Sequence, residues 1–339
     1  MNIATVSVGD REAPLFAPDT DWDAAQATLL EAELSDGLPA AIPTPARLTA
    51  MLAGCDPLLS FGAMPPLLGE ITAQAVAWCC VIAGCRPAEF PVVLEAAIGT
   101  LESEFNLLGI QTTTGTPTVA AVVHGPAGPA LGMNAGTNCL GPGNRANACI
   151  GRALRLVLTN VGDARPLVGD MATMGQPAKY GLAFAEGSHS LATPLHARHG
   201  LDPEEGAVTV IGLSGTLEVL PDDGAAAPEA VLRPALVAMQ GARRASSGGR
   251  YREPGEQFLL LPPEMADVIA KGGWGLDQAQ AFLQQESGTD WPIALTPSDI
   301  HIIIAGGAGV KMTCLVPWAG GTRSVTRRLP GTLGSVLIR

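Results

Sequence analysis

Thr118-Val-Ala-Ala-Val-Val-His124, a loop over residues 125–143, then Asn144-Arg-Ala-Asn-Ala-Cys-Ile-Gly-Arg-Ala-Leu-Arg-Leu-Val-Leu158: this stretch decides the fold class. Residues 118–123 are an apolar, β-branched run bounded by Pro117 and Gly125, as a buried strand would be. The loop is rich in Gly and Asn, and a helix is expected from about Asn144 to Leu158. Working downstream, residues 180–185, 207–211, 257–261 and 301–305 read as further strands, and 228–239, 263–270 and 276–285 as helices. Upstream, residues 21–34 predict an amphipathic helix capped by Thr20 or Asp21, and Thr44-Pro45 opens a second that ends at Gly54. Residues 67–83 and 88–103 also read as helices, so the first third is expected to be a helical layer. The fold class is therefore α/β, with a helical N-terminal layer followed by alternating strands and helices. The divisions expected are 1–110 (helical), 111–222 (α/β, first Gly-rich loop) and 223–339 (α/β, second Gly-rich loop), the last two as related halves.

Composition narrows the function classes. The 339 residues are 47% hydrophobic, ample for a sizeable core. A net charge of −12 argues against a nucleic-acid or membrane-surface binder, and 4% aromatics against a base-stacking platform. Gly 41 and Pro 28 point to many tight loops. The apolar window 71–85 is interrupted by Thr72 and Gln74 and is short of the ~20 residues that span a bilayer, so it reads as a buried helix. No basic segment precedes an apolar one at residues 1–18, and a cytoplasmic enzyme is expected. The seven cysteines include no CxxC pair, and none of the five histidines stands at ligand spacing from a cysteine. Reduced thiols and no metal are the expectation.

The loop that enters the helix at Asn144 presents free backbone N–H groups, which favour an anion. Gly141 and Gly143 allow close backbone approach, Arg145 is a bidentate partner for a carboxylate, sulfate or phosphate, and Asn144 and Asn147 either cap the helix or bind substrate. The competing reading is a capped helix whose arginines pair with Asp or Glu. A second strand-to-glycine unit, Ile304-Ala-Gly306-Gly307-Ala-Gly-Val-Lys311, forms another anion nest, with Arg323 in a basic cluster just beyond. Against it stands simple charge balance at the surface. For proton transfer the candidates are His124 at a strand end, His196 in a loop with Arg198 and His199, and Glu70 in the 67–83 helix. Cys139 is a candidate nucleophile if the helix dipole lowers its pKa. Each has a structural alternative: a hydrogen-bonded histidine, a helix N-terminal carboxylate, a packed thiol.

At these segments the chain resembles the large N-terminal portion of the UGSC-type (seleno)protein family. The residues that carry the resemblance are 36–51, 83–93, 141–155, 175–180, 194–196, 305–311 and 322–327, within roughly 36–329. Members of that family continue into a small domain bearing a Sec/Cys-Gly-Ser-Cys motif, which this sequence lacks. The resemblance thus implies a small second subunit, and the apolar stretch 329–339, with Leu333, Val336, Leu337 and Ile338, is its expected contact. The family tends to have Asn at the position of His124 and an aromatic at that of Asn144, which implies a different substrate.

The expected function is a cofactor-independent lyase or cyclase of secondary metabolism acting on a small anionic molecule. It would abstract a proton and expel sulfate or phosphate, with ring closure such as aziridine formation within that class. The alternatives are the substrate-binding subunit of a thiol-redox reductase and a non-enzymatic binding subunit.

Overall fold

The computed structural model describes residues 4–249 and 253–331. Most of the 329–339 stretch expected to meet a partner lies outside the described residues. The chain opens with the hairpin β1 (Ala4–Val8) and β2 (Arg11–Leu15), then helices α1 (Trp22–Glu31) and α2 (Pro45–Leu52). A second hairpin, β3 (Ser60–Met64) and β4 (Gly69–Thr72), runs directly into α3 (Ala73–Ala83), followed by α4 (Phe90–Gly99) and α5 (Leu107–Thr112). The caps expected from sequence are in place. Asp21 accepts from the Ala24 N–H, and Thr44 from the Arg47 N–H.

Two corrections apply to this layer. It is not purely helical, and the helix expected over 67–83 begins only at Ala73, capped by Thr72. The reason is contact with the chain elsewhere. A Cβ on Gly69 would lie 2.0 Å from the Val161 carbonyl oxygen, and one on the turn residue Gly9 would lie 2.8 Å from the same atom. Both hairpins are fixed by close approach to one point, which no local periodicity reveals. Glu70 consequently sits exposed on β4 and not in a helical turn.

The rest of the chain comprises β5 (Thr118–His124), α6 (Ala127–Ala130), α7 (Arg145–Asn160), β6 (Leu182–Ala185), α8 (Leu195–Arg198) and β7 (Ala207–Val219). Then come α9 (Pro228–Ser247), β8 (Gln257–Leu261), α10 (Pro263–Lys271), α11 (Leu276–Glu286), β9 (Ile300–Ile304), β10 (Met312–Pro317) and β11 (Val325–Arg328). Residues 312–317 and 325–328 carry no strand expectation yet form β10 and β11, while Tyr180 belongs to a short 3-10 turn that precedes β6.

One seven-stranded sheet unites these strands in the order β6-β5-β7-β10-β8-β9, with β11 paired to β7. β5 is parallel to β6 and antiparallel to β7, while β8 is parallel to β9 and antiparallel to β10. Each half is thus strand, helix, parallel strand, antiparallel strand, and the halves join where β7 pairs with β10. The second sequence boundary, 222/223, falls in the loop between them.

Alternation along the strands sorts the faces. Val119, Ala121 and Val123 of β5 pack with α3, α4 and α7, whereas Leu259, Leu261, Ile302 and Ile304 pack with α9, α10 and α11. No layer of long helices covers the opposite face; of the helical segments only α8, through Leu195, and the 3-10 turn, through Ala178, reach it. Its residues, among them Ala120, Val122, Phe184, Ile211, Phe258, Ile303 and Leu315, form one shared cluster, so the sheet curls around itself. The loop after β5 laces the two edge strands together: Ala185 N–H donates to the Asn134 carbonyl and Gly306 N–H to that of Ala135. Among the described residues no helix is long and apolar enough to cross a membrane.

Candidate functional site: a polar layer at one mouth of the curled sheet

Inward positions continue past the apolar cluster. His124 and Thr209 lie two residues beyond Val122 and before Ile211, Glu186 lies two beyond Phe184, and His301 lies two before Ile303. Because β8 and β9 run opposite to β5 and β6, strand direction carries all four residues to the same end of the sheet. There they meet side chains from α8, from the segment before β8 and from β11.

The contacts form a continuous series. Glu186 Oε2 lies 2.6 Å from His124 Nδ1, and His124 Nε2 lies 2.7 Å from Thr209 Oγ1. Thr209 is 2.7 Å from Thr326 Oγ1, which is 2.6 Å from His199 Nδ1. The His199 ring meets His301 edge-on at 5.5 Å between centroids, and His301 Nε2 is 3.1 Å from Glu256 Oε1. Glu256 also accepts from the Ser324 N–H and hydroxyl. His196 stacks on His124 at 5.4 Å.

Electrostatics divides the layer. Burial and the charge of His124 push the pKa of His196 down. His199 is exposed as a whole residue, but its ring is packed in, and burial together with His301 pushes its pKa down to about 4. Burial acts to raise the Glu256 carboxyl. Hydrogen bonds from His301 and Ser324, with the charge of Arg323, outweigh burial and hold Glu256 below the ordinary carboxylate range.

Glu256 and Arg323 face a cavity of about 460 Å³. It lies between α9, the end of β10 and the residue 318–323 segment, with Trp318 and Met239 as apolar walls and Ser247 and Thr322 as hydroxyls. A concave apolar space with a few convergent polar groups is the usual form of a small-molecule site. Arg323 donates to Asp299 at 2.8 Å and stands 3.7 Å from Glu256.

The candidate residues are distributed differently from the expectation. His124 and His196 meet in the polar layer and Arg323 borders the cavity. Arg145 is a correction: its guanidinium binds the Glu89 carboxylate in bidentate fashion and not a free anion, which is the competing reading of that loop. Asn144 caps α7 through the Asn147 N–H, and Asn147 is buried, holding Asn134 and the Cys139 carbonyl. Gly141 packs on Asn138, and Gly143 adopts φ 118° at the turn. The two glycine loops do adjoin, since a Cβ on Gly307 would lie 1.9 Å from Thr137 Oγ1 and Gly306 donates to Ala135. Lys311 is a further correction, because it pairs with Glu218 at 2.9 Å on the surface. Cys139 is buried and burial raises its pKa, the opposite of the lowering on which its reading as a nucleophile depends. Glu256, Glu186, Thr209 and Thr326 were not singled out from sequence. The one available signal was the period of two that aligns Glu186 and Thr209 with His124.

No family model, curated protein or solved structure matches the chain.

Proposed function

We propose that the chain is an enzyme that removes a proton from a small molecule in the 460 Å³ cavity and expels an anionic group from it. The observation that carries the reading is Glu256, a carboxylate on the cavity wall backed by His301 and flanked by Arg323. In a ring closure of this class, a substrate N–H gives its proton to Glu256 while nitrogen bonds to carbon and the C–O bond to sulfate or phosphate breaks. The bond's electron pair leaves with the anion. Neutralising Glu256 removes one of the two carboxylates that hold Arg323, which turns the guanidinium toward the departing charge. The hydrogen bonds from His301 and Ser324 keep Glu256 ionised and fix its orientation before it takes the proton. This role replaces the one expected of Glu70, while His124 and His196 lie at the far end of the polar series.

The resemblance to the UGSC-type family, a small second subunit and a cytoplasmic setting belong to the same proposal. The thiol-redox alternative draws no support from Cys314, the cysteine on the cavity wall, whose pKa burial pushes up to about 12.

The test is release of inorganic sulfate or phosphate from amino-alkyl sulfate and phosphate esters, followed by ion chromatography and by mass spectrometry of the ring product. Assays run with and without the small second subunit that the resemblance implies. Release that falls about a hundredfold or more in Glu256→Gln is expected. No release from any ester under either condition, or full release by E256Q, overturns the proposal.

A further inference from the structure

The far end of the polar layer carries a second set of groups, and their arrangement is that of metal ligands. His124 Nδ1 or Nε2, a Glu186 oxygen and one nitrogen of His196 all lie within 4.8 Å of one another. They come from three segments, the end of β5, the residue after β6 and the short α8, so no spacing motif marks them. His196 is fully buried, and neither of its ring nitrogens makes a hydrogen bond. Leaving a buried polar group unsatisfied is costly, so a ring with both nitrogens unused calls for another partner.

We propose that His124, Glu186 and His196 bind a divalent transition metal of the zinc type, with a coordination position left for an oxyanion beside Arg198. Two imidazoles and one carboxylate are a donor set suited to zinc, and three protein ligands leave one position open. Bond lengths of about 2.0–2.2 Å require His196 to swing out of its stack on His124 toward the metal, while His124 Nδ1 and Glu186 Oε2, now 2.6 Å apart, open to admit it. No hydrogen bond holds His196 in that stack. The groups behind the ligands are also in place. Thr209 holds His124 Nε2, which directs Nδ1 to the metal, and the Leu195 N–H fixes the Glu186 carboxylate. The carbonyls of Asp202 and Pro203 face the His196 ring, short of hydrogen-bond geometry, where a ligating imidazole places its second N–H.

Without the metal, His124 Nδ1 and Glu186 Oε2 are hydrogen-bonded to each other at 2.6 Å. Metal binding replaces that hydrogen bond: the ring N–H lies on Nε2, toward Thr209, and the Nδ1 lone pair forms the new bond. Arg198 supplies the remaining constraint. Its guanidinium lies 3.9 Å from Glu186 and donates to the Ile302 carbonyl, while Nε and the second terminal nitrogen are buried without a hydrogen bond. A divalent cation beside that guanidinium leaves excess positive charge. An oxyanion bridging metal and arginine relieves it and satisfies the open donors. This inference is independent of the chemistry assigned to Glu256.

The experiment uses the full chain stripped with chelator and titrated with Zn²⁺ and, separately, Co²⁺. About one equivalent of bound metal by elemental analysis and a raised Tm are expected. X-ray absorption of the cobalt form should show two imidazole nitrogens with oxygen donors. His196→Asn should weaken binding more than about a hundredfold, with the stripped variant's Tm measured alongside so that loss of the ligand is separated from the cavity the smaller side chain leaves. Glu186→Gln serves as the second variant should H196N fail to fold. Sub-stoichiometric metal, an unchanged Tm, or wild-type affinity in H196N or E186Q overturns the proposal.

Discussion

Asn147 shows how one side chain organises the loop that sequence reading took for a ligand site. It accepts from the Asn134 N–H and donates to the carbonyls of Asn134 and Cys139, while itself 4% exposed. Asn147→Ala strands those backbone groups, and a loss of about 3 kcal/mol in urea unfolding is expected. An unchanged midpoint would show that water replaces the amide. The residue was legible as important, but its direction was not: a cap and a substrate ligand use the same amide, and only the fold says which it meets. Arg145 is the same case, because Glu89 arrives from a different helix region, 56 residues away. His199 gives a pH prediction whose sign follows from its lowered pKa of about 4 against 6.5. Between those values the unfolded chain holds the proton and the folded chain does not, so stability falls as pH drops from about 6.5 toward 4 and is unaffected above. His196 acts in the same direction. His199→Gln should flatten the decline of the urea midpoint between pH 7 and pH 5; an identical slope in the variant would refute this role.

At the scale of elements, what is local was readable and what is tertiary was not. Helices α1, α2 and α7 begin where their caps predict, because a capping side chain acts within three residues of itself. Strands β5 and β8 were readable because an unbroken apolar run needs no partner to identify it. The hairpin β3–β4 was lost inside a helix reading, since Gly69 is there to let the chain touch Val161, 92 positions later in the sequence. β11 was read as a basic cluster, although Val325 is buried and Thr326 joins the polar layer. Gly69→Ala places a methyl against a backbone oxygen that cannot move aside, and a destabilisation above about 3 kcal/mol is expected. Gly215→Ala, on β7 with nothing within 4 Å of the added atom, is the matched control and should shift stability by less than about 0.5 kcal/mol. Equal effects at the two glycines would rule out close approach as the cause.

At the scale of the whole molecule the question is whether three sequence-defined parts behave as separate domains. Their connectivity invites that view, because residues before and after the 222–227 loop each form a strand–helix–strand–strand unit. Burial points the other way. The inner face of β5, β6 and β7 is met by only one residue of a helix, Leu195 of α8, and one of the 3-10 turn, Ala178, and its apolar side chains pack in one cluster with those of β8, β9 and β10. Neither half can remove that face from water alone, and β7 without β10 loses its partner along Leu213–Val219. The N-terminal layer is tied in as well, since Gly9 and Gly69 sit on the end of α7, and Trp78 of α3 donates to the Pro14 carbonyl at 3.0 Å. Separating the halves would expose the apolar side chains of that shared face to water. Unfolding should therefore be one cooperative event. Hydrogen exchange of α3 in the N-terminal layer and of α11 in the second half should lose protection at the same urea concentration. Cleavage within the exposed 222–227 loop should leave the two fragments associated and folded. Two well-separated transitions, or fragments that fold and migrate independently, would establish autonomous domains and with them a site whose polar layer assembles only when the halves meet.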